Sequence, residues 1–284
     1  MPKVQSIKAL TGAGDPSGLA TAAQTAGIAG RKLTLLLAPG HYRIVQVDTP
    51  AVPRAEWRAA LRFSPAFKEM LDTPVDALVF DVLEIPTENY VANRPKQSLA
   101  FVAKKAELAP LVECFDTAGL RLEAIDVPEL ALRNIAALLE DENRGLALFA
   151  FDAWGGMLVI TFKGELYASR RIEISPEQFA QANDERKTAL HERIALELQR
   201  SLDAFDRLYS FITLSRLVVA PHPDVPDLLD VLRDNVATRV EALNLGSRLE
   251  FAAEAMRDPA ALSKSLLAIG AALRPDAPAE ADAK

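Results

Sequence analysis

The stretch GLALFAFDAWGGMLVITFKGELYASRRI, residues 145–172, decides how the rest of the chain is read. Its first apolar run, Leu146 to Phe151, meets Asp152 and the turn Ala153-Trp154-Gly155-Gly156. A second run goes from Met157 to Phe162. Lys163-Gly164 makes a two-residue break, and a third run, Glu165 to Ile174, alternates apolar and polar side chains. β-Branched and aromatic content with short glycine-containing breaks predicts three antiparallel strands joined by hairpins. An aspartate at a strand end, followed by glycines and a returning strand, suits two roles. Glycine lets backbone N–H groups approach a phosphate, and a neighbouring carboxylate can hold a metal-bound water. The same residues also build an ordinary hairpin, and Trp154 sets a bulky side chain where phosphate would have to come close. Asp152, Gly155 and Gly156 are therefore the candidate cofactor-binding residues, with a structural hairpin as the competing reading.

Elements on either side alternate between strand and helix. Leu33–Ala38 and Tyr42–Val47 read as two strands around a Pro39-Gly40 turn, and Arg54 to Leu71 as a helix broken near Ser64-Pro65. In that helix Trp57, Ala60, Leu61, Phe67 and Met70 fall on one stripe. Residues 75–85 and 99–103 read as strands separated by a polar loop. Helix 104–119 turns Leu108, Leu111, Val112 and Phe115 inward, strand 122–127 follows, and a helix then runs to Leu139. Beyond the hairpins, Leu190, Ile194, Leu198, Leu202, Phe205 and Tyr209 make one apolar stripe on a long helix, 184–209. Strand 214–220, helix 224–236, a short strand 240–243 and a last helix 263–273 complete the order. Helices on both sides of sheets make the class α/β. The break near 140–145 divides the chain into a first lobe, 1–140, and a second, 141–275, with a polar tail at 276–284.

Composition narrows the function. The chain has 284 residues, is 50% hydrophobic and 25% charged, and carries a net charge of −7, which disfavours a nucleic-acid partner. The single cysteine, Cys114, reads as a core or half-buried side chain. No apolar run approaches the roughly 20 residues that span a bilayer, and no signal segment opens the chain. The expected location is cytoplasmic, with membrane association only through a partner. No GxSxG, Walker A or metal-ligand spacing occurs, so no catalytic residue and no metal ligand is assigned. His41, His191 and His222 are scattered and read as surface residues. Glycines 12, 14 and 18 lack a following GK[ST] and read as a loop feeding a small Ala-rich helix.

The layout resembles the MshI family of MSHA-type (type IV) pilus biogenesis proteins, and more distantly PilM and the cytoplasmic part of GspL. The resemblance rests on the order of LLLAPGHYRIVQVDTPAVPRAEWRAALRF (35–63), PVDALVFDVLEIP (74–86), AFVAKKAELAPLVECFDTAGLRLEAIDVPELALRN (100–134), the hairpins from Ala150, RSLDAFD (200–206) and LLAIGAALR (266–274). It implies a two-lobed actin-like (ribonuclease H-like) ATPase fold, with an FtsA/PilM-like subdomain inserted in the first lobe. It also implies docking on the cytoplasmic tail of a PilN/MshJ-like bitopic inner-membrane protein. Against the family's second phosphate loop, DxGxxxT, Asp152 keeps the aspartate, while Trp154 stands at the glycine and Leu158 at the threonine. Pro221-His222-Pro223 stands where a glycine-rich adenosine loop is expected, and residues 1–30 show no Asp-x-Gly hairpin, so that end reads as truncated or degenerate. The resemblance thus implies a non-catalytic scaffold without a cofactor. An ATP/Mg-binding switch and a GspL-like secretion component are the alternatives.

Overall fold

The computed structural model describes residues 1–9, 15–86 and 96–275. Glycines 12 and 14, most of the polar loop after Pro86, and the tail from 276 lie outside the described residues. In chain order the elements are β1 (Lys3–Val4), α1 (Pro16–Ala26), β2 (Leu33–Leu36), β3 (Tyr42–Asp48), α2 (Trp57–Phe63), α3 (Pro65–Glu69), β4 (Leu78–Glu84) and β5 (Gln97–Lys104). Next come α4 (Lys105–Thr117), β6 (Leu122–Asp126), α5 (Pro128–Leu139), β7 (Gly145–Asp152), β8 (Gly155–Phe162), β9 (Glu165–Ile172), α6 (Pro176–Ala180) and α7 (Asp184–Leu208). The last are β10 (Leu214–Val219), α8 (Leu228–Asn235), β11 (Val240–Ala242), β12 (Glu250–Phe251) and α9 (Pro259–Ala272). They fall into two compact units, Lys8–Asp126 and Met1–Ile7 with Val127–Lys284. The division lies at Val127 rather than at residue 141, because α5 packs against β8 and α9 and so belongs with the sheet that follows it.

The C-terminal unit is built on one five-stranded sheet, ordered β11-β10-β7-β8-β9. β7, β8 and β9 are antiparallel neighbours, as their alternation predicts, while β10 and β11 run parallel to β7. β7 and β8 are buried almost throughout, which explains why they read as continuous apolar runs. Lys163 (φ 53°) and Gly164 (φ 77°) close β8 onto β9 as a primed two-residue turn. α7 lays Ile194, Leu198, Leu202 and Phe205 against the sheet, each at most 4% exposed. α5 and α9 cross so closely that a Cβ on Gly270 would lie 2.1 Å from the Ala131 carbonyl oxygen.

The other unit has two small sheets. β2 pairs parallel with β6, while β3, β5 and β4 form an antiparallel sheet in that order. β2 and β3 are therefore not a hairpin: Pro39-Gly40 carries the chain from one sheet to the other. One face of β3-β5-β4 packs under α2 and α3 around Trp57, Leu61, Phe67 and Phe80. Met70, expected on that stripe, is 44% exposed because α3 ends at Glu69. α4 forms as expected but fully buries no residue, and Val112 is 37% exposed. Cys114 is half-buried on the same helix.

Candidate functional site

The β7–β8 hairpin brings Asp152, Gly155 and Gly156 together, with Asp152 opposite Gly155 and Phe151 opposite Gly156. The Asp152 side chain is 6% exposed and its bonds are made inside the sheet. Its Oδ1 accepts the backbone N–H of Trp154 at 2.9 Å and of Gly155 at 3.0 Å, which closes the turn. Arg171 on β9 donates through Nη1 to both carboxylate oxygens, at 3.1 and 2.9 Å. Two backbone donors and one guanidinium thus engage the carboxylate.

Each glycine also has a steric reason. Gly155 has φ 155°, and a Cβ there would sit 2.4 Å from the Ile172 carbonyl oxygen. A Cβ on Gly156 would lie 2.4 Å from the Phe149 ring. Their open faces are filled by the neighbouring strand and by a core side chain. Trp154 stands outward at the turn, 53% exposed, and Leu158 is buried at 1%.

In an open α/β sheet, ligands bind at the carboxyl ends of strands where adjacent connections leave in opposite directions. Here that point lies between parallel β7 and β10, since β7 continues to β8 on one side and β10 to β11 on the other. It is packed with rings. Phe149 meets Phe151 at 5.1 Å between centroids, Phe151 meets Phe179 at 6.5 Å and His222 at 5.9 Å, and Phe179 meets His191 at 4.9 Å. His191 and His222 are thus not surface residues. His191 is 7% exposed with Nε2 buried and no hydrogen-bond partner for it among the described residues, and the His222 side chain is 15% exposed with Nδ1 accepting the Asp224 N–H. Burial pushes both imidazoles below the usual histidine range. Asp224 opposes that shift at His222, and Lys264 adds to it. His41 is exposed as expected, its Nδ1 3.3 Å from Glu107.

The sequence reading missed Arg171, whose guanidinium completes the Asp152 site, and the aromatic–histidine cluster. One signal for the cluster was present: His191, Ile194, Leu198, Leu202 and Phe205 are spaced 3, 4, 4 and 3, a helical stripe that includes the histidine. Among the described residues no three His, Cys, Asp or Glu side chains converge to hold a metal, and no helix is long and apolar enough to cross a membrane.

No protein-family model matches the sequence, and the curated proteins contain no match to it. Solved structures do match. The chain is similar to the PilM–PilN type IV pilus biogenesis complex, with a TM-score of 0.72 and 18% identity over 98% of this chain and 90% of that one. It matches the cytoplasmic domain of EpsL, an inner-membrane component of the type II secretion system of Vibrio cholerae, with a TM-score of 0.44 and 12% identity over 92% and 81% of the two chains. A Bacteroides thetaiotaomicron protein of unknown function with an actin-like ATPase fold matches at 0.43 and 10% identity, over 82% and 79%. The α/β class expected from the residues is what this chain has, and its fold is like that of the PilM–PilN complex structure.

Proposed function

We propose that this chain is a non-catalytic cytoplasmic scaffold of a type IV pilus assembly platform, of the MshI kind. In this reading it docks on the cytoplasmic tail of a PilN/MshJ-like bitopic inner-membrane protein and reaches the membrane only through it. The observation that carries the reading is the fold likeness along 98% of the chain to a complex of PilM with PilN. The hairpin supports the non-catalytic half. A phosphate needs free N–H groups and open space above glycine. The Trp154 and Gly155 N–H groups already serve Asp152, and Ile172 and Phe149 close the glycine faces. Nor does Asp152 suit a Mg²⁺–water, since Arg171 neutralises it from 2.9 Å. These residues do not fit a nucleotide phosphate, so no hydrolytic step is assigned to them.

Two calorimetric titrations test the proposal. The cytoplasmic tail peptide of the bitopic pilus protein encoded beside this chain should bind saturably, and no co-purification with that protein would refute the docking role. ATP with Mg²⁺ should give no heat and no thermal shift at millimolar concentration. Saturable ATP binding lost in Asp152→Ala would refute the non-catalytic reading.

A further inference from the structure

β9 ends its sheet, pairing only with β8 among the described residues. A terminal strand presents half of its backbone N–H and C=O groups outward, and exposed edges of this kind accept added strands. Beside it lies a groove of about 430 Å³, floored by Leu158 and Ile160 of β8 and walled by Ala204 and Leu208 of α7. That volume is within the roughly 300–1,000 Å³ of ligand clefts. Leu208 is 57% exposed at the groove, an uncovered apolar side chain next to an apolar cavity.

The mouth carries a net positive charge. Arg170 of β9 and Arg200 of α7 both line it, with side chains 63% and 65% exposed. The two share a single carboxylate, Glu197, at 3.8 and 3.5 Å. Two guanidiniums against one carboxylate leave a local positive excess on a chain whose net charge is −7. The floor asks for apolar side chains, the rim for carboxylates, and the strand edge for an extended backbone.

We infer that the β9–α7 groove docks an extended segment of a partner protein, added to β9 as a sixth strand, with apolar and acidic side chains together on the alternate residues that face α7. An amphiphile such as a fatty acid would share the apolar and carboxylate chemistry but not the strand edge, so the strand edge favours the peptide. The inference does not rest on the pilus reading, because groove, edge and charges all belong to the C-terminal unit.

Display selection of random ten-residue peptides against the full chain tests it. Enriched sequences should carry apolar residues and Asp or Glu on one set of alternate positions. A synthetic copy should bind at least tenfold more weakly to Arg170→Glu/Arg200→Glu and to Ala204→Trp, which fills the groove, while both variants keep the wild-type melting temperature. N-Methylation at alternate peptide residues should abolish binding, and oleate should not compete. No enrichment over an unrelated protein, enriched peptides without acidic residues, equal binding to a folded Ala204→Trp variant, or displacement by oleate would each overturn the inference.

Discussion

Removing the Arg171 guanidinium tests whether Asp152 bolts a hairpin or awaits a ligand. In Arg171→Met the aliphatic stem stays, while a carboxylate only 6% exposed keeps just its two backbone N–H bonds, at 2.9 and 3.0 Å. Stripping one partner from a fully buried ion pair costs about 3–5 kcal/mol. The retained N–H bonds, and the 23% exposure of Arg171 itself, place this site lower, at about 2–3 kcal/mol. Hydrogen bonds to charged groups are worth about 1.5–3 kcal/mol, which agrees. Urea unfolding by circular dichroism reads the loss, and Asp152→Asn with the double variant completes a cycle. The coupling should exceed about 1 kcal/mol, because either change alone strands the other's charge. In the ligand reading, Asp152→Asn would relieve an ill-satisfied carboxylate, hold or raise stability, and erase a Mg–ATP response. An Arg171→Met midpoint equal to wild type, or additive single variants, would refute the bolt.

Three further outcomes follow from the same geometry. Gly155→Ala should cost about 3 kcal/mol or more, since its Cβ meets the Ile172 carbonyl at 2.4 Å and φ 155° is strained for alanine; a melting temperature within a degree of wild type would contradict this. Gly270→Ala should force α9 off α5, where its Cβ would lie 2.1 Å from the Ala131 oxygen, and should weaken the buried Asn134-to-Gly270 bond of 2.9 Å; hydrogen exchange across α5 and α9 should rise together. Acid should loosen the aromatic cluster. His191 and His222 have folded-state pKa values below their unfolded 6.5, so between those values the unfolded chain binds more protons. Their stabilising share is therefore complete above about pH 6.5 and is lost as pH falls through that window. A His191→Phe/His222→Phe variant should lose part of that slope, and unfolding scans from pH 7.5 to 5.5 with slopes equal to wild type would count against it.

How much of this was readable depended on the range of the interactions. The runs in β7, β8 and β9 announced themselves because burial on both faces, or on alternate residues, is written locally. The long helix α7 did so through its 3- and 4-residue spacing. Long-range pairing was not local. Leu33–Leu36 and Tyr42–Asp48, six residues apart around Pro39-Gly40, looked like a hairpin, yet the partner of the first is β6 and of the second β5. Arg171 lies 19 residues beyond Asp152 and reaches it only because β9 crosses β8 in one register, Met157 opposite Arg171. No property of Arg171 as a residue type predicts that contact.

The glycines show why the hairpin stayed ambiguous. A glycine required by a phosphate and one required by a carbonyl of the next strand leave the same letter in the sequence. Only the neighbour distinguishes them, and here it is the Ile172 oxygen for Gly155 and the Phe149 ring for Gly156. The two departures from the phosphate-loop pattern acquire physical content in the same way. Position 158, where the phosphate-loop pattern of the resembled family has a threonine, holds a leucine that is 1% exposed and floors the groove under α7. Position 154 holds a tryptophan that stands outward from the turn instead of leaving room above it. A chain that fills its hairpin with its own carbonyl, ring and guanidinium holds that hairpin by internal contacts, and the same letters, Asp152, Gly155 and Gly156, serve those contacts.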